Sequence, residues 1–166
     1  TTMTRRGSRD RFVAPSNTFE AGDGRYVLIV GGDDNMFPRL VRAMGREDLL
    51  ADPRFATMAD RLAHTAEIEA VVAQWMKQHD ADALVAMLEA EGLPCAKVAT
   101  IDEVARSEQL RHRGHIVDIP FAGRTVPVQG VTMHLSDTPL TVRRAIPQVG
   151  EHNAEVLREW LPLRSH

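Results

Sequence analysis

The stretch GDGRYVLIVGGDDNMFPRL, residues 22–40, contains a strand, a tight turn and the start of a helix. Residues 25–30 form an apolar run rich in β-branched and aromatic side chains, bounded by Gly22-Asp23-Gly24 and by Gly31-Gly32. A run that short between glycine turns reads as a buried strand. Met36, Phe37, Leu40, Val41 and Met44 then recur at helical spacing. Asn35 stands where a side chain caps the free N–H groups, Pro38 falls in the first turn, and Gly45 ends the helix. Turns of this shape often hold phosphate, because backbone N–H groups and the helix N-terminus point at the anion. Here Asp33 and Asp34 occupy that place. No Lys-Ser/Thr pair follows and no G-x-G-x-x-G spacing is present, which excludes a phosphate loop. Carboxylates beside a helix start also gain about 0.3–1 kcal/mol from its dipole, a reason for them that needs no function.

Working outward, Ile68, Val71, Val72, Trp75 and Met76 lie on one helical stripe, preceded by a connecting stretch, 46–55, that Pro53 breaks. Residues 80–94 repeat the pattern: an Asp cap, then Leu84, Val85 and Leu88, then Gly92 and Pro94. Residues 95–100 read as a strand and 101–114 as one or two short helices. Val117, Ile119 and Phe121 alternate before Ala122-Gly123, which predicts a hairpin. Residues 150–161 predict a helix with Val156, Leu157, Trp160 and Leu161 inward. The predicted fold is α+β, a small mixed or antiparallel sheet with several flanking helices. Residues 1–17, with Arg5, Arg6, Arg9 and Arg11 and little apolar content, read as a linker-like lead-in. No aromatic interleaving supports a nucleic-acid arm there.

The 166 residues fit one domain, with 43% hydrophobic and 26% charged residues, as in a soluble globular protein. A net charge of −3 gives no overall pull toward nucleic acid or anionic membrane. The longest apolar runs are far too short to span a bilayer, and no signal-peptide pattern opens the chain. Cys95 is the only cysteine, so no internal disulfide forms and a cytoplasmic, reducing setting is expected.

Other reactive residue types are sparse. His112 and His115 are three apart, a conceivable metal pair, but no Cys or carboxylate completes a site at the usual spacing, so no metal is expected. His152 follows Glu151 at a helix start, where capping explains it. Cys95 sits between Pro94 and an apolar strand, the setting of a buried structural thiol rather than a nucleophile. Single residues therefore point to no activity.

Four segments taken together resemble the class III CoA-transferases, the group that includes formyl-CoA transferase, carnitine CoA transferase and α-methylacyl-CoA racemase. Residues 15–40 resemble the family's entry into its small domain. Residues 49–75 resemble its "DPRF…R" segment and the helix after it. Residues 88–104 resemble its "GVPC" segment, and residues 126–157 its closing run with "SDTP" and "GEHN". The resemblance covers nearly all of residues 15–161. It implies a small domain over residues 18–140 and a closing segment with a helix over residues 141–166.

The resemblance carries further expectations. In the transferases an aspartate of the large domain attacks the acyl-CoA thioester and forms a mixed anhydride, from which coenzyme A leaves and returns. In the racemases a His and an Asp of the large domain exchange the α-proton. The chain is therefore expected to lack the nucleophile and to be a fragment of a larger enzyme, inactive alone; a start at Thr1 agrees. Coenzyme A and acyl-CoA enter as substrates, with no tightly bound cofactor, and the parent is expected to be an interlocked homodimer acting on a carboxylic acid. Gly31, Gly32, Asp33 and Asp34 are the substrate-pocket candidates. The turn faces the cleft in family members, and matching on Phe37 places the family's acid at Asp34. The glycines would let backbone come close to the acyl group. A racemase parent, or a non-enzymatic acyl-CoA-binding or partner module, remains an alternative.

Overall fold

The computed structural model describes residues 5, 7–141, 144 and 146–161. They divide into two compact units, one running to Val98 and the other beginning at Ala99.

The first unit carries a three-stranded sheet. Strands β1 (Ser16–Glu20), β2 (Tyr26–Val30) and β3 (Cys95–Lys97) lie in that order, each antiparallel to its neighbour. Ser16 pairs with Val30, Glu20 with Tyr26, and Ile29 with Cys95. Alternation decides the faces: Val27 and Ile29 are fully buried, while Tyr26, Leu28 and Val30 point the other way and are partly exposed. Helices α1 (Phe37–Ala43), α2 (Met58–Ala63), α3 (Thr65–Met76) and α4 (Ala81–Ala90) cover the buried face, with a 3-10 turn at Glu47–Leu50. Phe37, Leu40 and Val41 of α1, Ile68, Val72 and Met76 of α3, and Leu84 and Leu88 of α4 form the core with Phe19, Val27 and Ile29. Each such side chain contributes about 1.5–3 kcal/mol by leaving water.

Three expectations change here. The lead-in is not loose throughout. Ser16 and Asn17 already belong to β1, Ala14 is fully buried, and the Asp10 N–H donates to the Ser16 carbonyl at 2.9 Å. Arg9 Nε reaches Glu69 Oε2 at 2.6 Å. Polar composition hid this strand, because β1 is an edge strand with only Phe19 as a large apolar residue. Asn35 does not cap α1. Asp33 Oδ1 accepts from the Asn35 and Met36 N–H groups at 2.8 and 2.9 Å, an Asx turn that supplies the cap two residues earlier. The stripe ending at Met76 is preceded by a separate helix. Thr57 and Asp60 form a capping box that starts α2, and His64, at φ −111°, separates it from α3.

The second unit opens with two short helices, α5 (Ile101–Arg106), capped by a Thr100–Glu103 box, and α6 (Glu108–His112), capped by Ser107. The predicted hairpin follows as β4 (Ile116–Phe121) and β5 (Arg124–Gln129), antiparallel, with Phe121 opposite Arg124. Ala122 and Gly123 both have positive φ, 49° and 75°, the two-residue turn whose twist matches the flanking strands. Helix α7 (Asn153–Trp160) lies where expected, but Val156, Leu157, Trp160 and Leu161 are exposed rather than inward. Its apolar stripe has the helical spacing of a buried face, without a covering element among the described residues of this unit. The fold is thus α+β, as expected, with two small antiparallel sheets rather than one among the described residues. None of the described helices is long and apolar enough to cross a membrane.

Candidate functional site at the Gly-Gly turn

The turn after β2 is built on a buried arginine. Arg61, on α2, is 1% exposed and sits with its guanidinium carbon 4.3 Å from the centre of the Phe37 ring. Its Nε donates to the Ala14 carbonyl at 3.2 Å, Nη1 to the Phe55 carbonyl at 2.8 Å and Nη2 to the Gly32 carbonyl at 2.9 Å. Nη2 also donates to Asp34 Oδ1 at 2.6 Å. One planar cation therefore ties the segment before β1, the Gly-Gly turn and the segment before α2 to a single carboxylate. Arginine suits this task, since its donors are fixed in direction.

The four candidate residues take different roles. Gly31 and Gly32 are buried. A Cβ on Gly32 would lie 2.5 Å from the Ala14 backbone, so its missing side chain admits the chain's own neighbouring strand entry. A Cβ on Gly31 would meet Leu40 at 3.0 Å. Asp33 is occupied by the Asx turn. Asp34 alone of the four presents a carboxylate held toward solvent, with a side chain 65% exposed. The hydrogen bond from Arg61 holds its carboxyl below the usual carboxylate range. Asp34 is therefore ionised at neutral pH and serves as a fixed acceptor rather than a proton donor.

Arg61 was invisible to periodicity, because a charged residue is scored as surface. The signal for it was the final Arg of the "DPRF…R" segment, which ends at this residue.

The remaining candidates separate from this site. Cys95 is partly buried; burial, and then Glu89, push its thiol up, which keeps it protonated and unreactive. His152 makes no side-chain cap. Its Nδ1 lies 3.3 Å from Glu155 Oε2, an i,i+3 pair along α7 that replaces the expected capping role. His112 ends α6, while His115 meets His134, with Nε2 atoms 3.3 Å apart. No group of three or more His, Cys, Asp or Glu side chains suited to a metal occurs among the described residues. The second unit also holds an apolar groove of about 690 Å³, whose lining includes Val117, Ile119, Leu140, Arg113 and His134.

Comparison with known proteins assigns the family. Residues 1–153 match the CoA-transferase family III. The chain is 35% identical over 153 residues to the succinyl-CoA–D-citramalate CoA-transferase of Chloroflexus aurantiacus, an alignment covering 91% of this chain and 38% of that protein. It is 30% identical over 133 residues to the formyl-CoA:oxalate CoA-transferase of Bradyrhizobium diazoefficiens, covering 79% of this chain and 31% of that protein. The crystal structure of a CAIB/BAIF family protein from Brucella suis superposes with a TM-score of 0.78 at 30% identity, over 96% of this chain and 41% of that one. The chain belongs to the CoA-transferase family III. It spans about two fifths or less of the length of these relatives.

Proposed function

We propose that this chain is the acyl-pocket part of a class III CoA-transferase, which moves coenzyme A between carboxylic acids. The carrying observation is the Arg61–Asp34 pair. A buried guanidinium fixes an exposed, ionised carboxylate at the mouth of the Gly-Gly turn. A scaffold of that rigidity around one solvent-facing acceptor is how a binding surface is preorganised. Asp34 orients a water, or a hydroxyl carried by the acyl group, beside the thioester by accepting its hydrogen bond; its depressed pKa makes it a poor base and no acid. The thioester carbonyl itself is attacked by a carboxylate from polypeptide outside these 166 residues. That attack gives an acyl-aspartyl anhydride and the coenzyme A thiolate. The thiolate attacks the aspartyl carbonyl and frees the donor acid. The acceptor carboxylate then displaces the thiolate to form its own aspartyl anhydride, and the thiolate attacks the acceptor carbonyl to give the new thioester and restore the aspartate. The transferase names of the relatives and the extent of their chains beyond the matched region support this division of labour. The reading includes an interlocked homodimer in the cytoplasm, with acyl-CoA as substrate and no resident cofactor.

The test is coenzyme A transfer from succinyl-CoA to dicarboxylic acceptors, measured with the polypeptide that joins this sequence to a family large domain. Asp34→Asn is expected to lower kcat/KM about tenfold or more with the fold unchanged, as loss of a positioning contact does. Wild-type rates in that variant across all acceptors would remove Asp34 from the pocket. Absence of any transfer by the wild-type protein would remove the transferase reading itself.

A further inference from the structure

Glu69 has no part in that reading. It lies on α3, next in sequence to the core residue Ile68, with only 5% of its surface exposed. Its Oε2 accepts from Arg9 Nε at 2.6 Å and from Asn17 Nδ2 at 3.3 Å. Its Oε1 is buried without a hydrogen-bond partner. A buried ion pair adds little net stability, because lost hydration offsets the attraction, and a half-satisfied carboxylate adds less. Stability alone therefore does not account for an acid at this place. What the carboxylate holds is the position of Arg9.

Arg9 fastens one end of a strap, residues 9–15, that runs into the Gly-Gly turn. Asp10 Oδ1 accepts from the Phe12 and Val13 N–H groups at 2.6 and 3.1 Å, an Asx turn, and the Asp10 N–H closes onto the Ser16 carbonyl at 2.9 Å. These bonds make the strap one rigid piece. At its far end, Ala14 fills the space that a side chain on Gly32 would need. The Ala14 carbonyl accepts from Arg61 Nε at 3.2 Å, and the Pro15 carbonyl from the Gly31 N–H at 3.1 Å. Arg61 Nη2 in turn holds Asp34 Oδ1 at 2.6 Å. We propose that Glu69 is a positioning residue for Asp34, acting through Arg9, the strap and Arg61. As a device of the pocket this rests on the reading of Asp34 given above; as a mechanical link within the first unit it does not.

Arg9→Leu tests the link in the 166-residue chain, since the Arg9 side chain is 37% exposed and its loss opens no core cavity. Two readouts need no substrate. Amide exchange at Gly31 is expected to speed up at least about tenfold, with Val72 in α3 and Leu88 in α4 unchanged. The Asp34 carboxyl carbon, followed by NMR against pH, is expected to titrate closer to the ordinary aspartate range as Arg61 loosens. Glu69→Leu is expected to reproduce both changes, and Arg9→Lys, which keeps a cation beside Glu69, to restore both in part. Wild-type exchange and titration in Arg9→Leu overturn the proposal. Protection lost equally at Gly31, Val72 and Leu88, the mark of plain destabilisation, overturns it too. In the polypeptide joined to a family large domain, Arg9→Leu is expected to lower kcat/KM in the wild-type background and not in Asp34→Asn. Equal losses in both backgrounds would exclude the route through Asp34. A joined protein without any transfer removes the transferase reading and leaves the exchange and titration tests standing.

Discussion

Arg61 Nη2 donates to Asp34 Oδ1 at 2.6 Å while the same guanidinium holds the carbonyls of Ala14, Phe55 and Gly32. The pair is asymmetric, with the cation buried and the carboxylate exposed. An exposed ion pair contributes little to stability, because solvent screens it. The three backbone carbonyls are different, since they have lost water and depend on the arginine. Arg61 is thus chiefly a structural residue that also sets the direction of Asp34.

The first expectation separates these two roles. Arg61→Ala strands buried carbonyls and opens a cavity beside Phe37, at a cost of about 3–5 kcal/mol. Arg61→Lys is expected to lose most of that stability too, because an ammonium at the end of a flexible stem cannot match acceptors arranged for a planar fork. Asp34→Asn should leave the urea midpoint close to wild type. A midpoint in Arg61→Lys equal to wild type would show that the carbonyls find other donors.

Much of the frame around this pair is legible in the amino-acid sequence. β2, α1 and α4 follow from apolar spacing and glycine stops, and the hairpin follows from alternation around Ala122-Gly123. What stayed hidden has a common physical cause. β1 and Arg61 are polar by composition and buried by context, and composition alone reports only the first. Asp33 and Asp34 look alike in the sequence, yet one closes an Asx turn and the other faces solvent. Local spacing could not divide them, because the partner that divides them is Arg61, 27 residues away. The stripe of α7 misled in the opposite sense, being apolar in pattern and exposed in the fold.

The Gly-Gly turn yields a paired test of close approach. A Cβ at position 32 would sit 2.5 Å from both N and C of Ala14, and backbone cannot move aside locally. Gly32→Ala is expected to destabilise the chain by about 1–3 kcal/mol or more. At position 31 the nearest atom is Leu40 Cδ2 at 3.0 Å, the end of a side chain. Gly31→Ala should therefore cost less. Chemical denaturation of both variants checks the order, and equal midpoints would mean that Ala14 yields as readily as Leu40.

Acid stability should depend on Arg54. Its Nη2 and Nε bond Asp52 Oδ2 and Oδ1 at 2.6 and 3.0 Å, and these contacts with the Arg54 N–H lower the Asp52 carboxyl from 3.8 to about 2. The folded state therefore binds its proton less readily than the unfolded state. The resulting stabilisation is fully present above about pH 4 and is lost as pH falls toward 2. Asp34 and Glu67 are lowered in the same direction, by Arg61 and by His64 respectively, and add to the same limb. Thermal melts from pH 5 to 2 should show a modest fall in Tm for the wild type, since solvent screens these exposed pairs. Arg54→Ala should start lower and fall less steeply, and parallel curves would exclude the pair as the origin.

Helix α7 carries the last expectation. Trp160 is 79% exposed and Leu157 56%, with Val156 and Leu161 on the same side. Glu155, Arg158 and Glu159 provide its charge, and Arg144 reaches Glu155 at 3.0 Å. An amphipathic helix with its apolar face in water gains free energy by covering that face, at about 25 cal/mol per Å². The 166-residue chain is therefore expected to self-associate at high concentration, in a manner that salt strengthens rather than disrupts. Replacing Leu157 and Trp160 together by glutamine keeps helix propensity and removes most of the apolar area. Sedimentation velocity should then show a monomer at concentrations where the parent chain associates, with the melting of the first unit unchanged. Association that persists in the double variant would shift attention to the exposed Tyr26, Leu28 and Val30 face of β2, a second apolar surface that this chain presents to water.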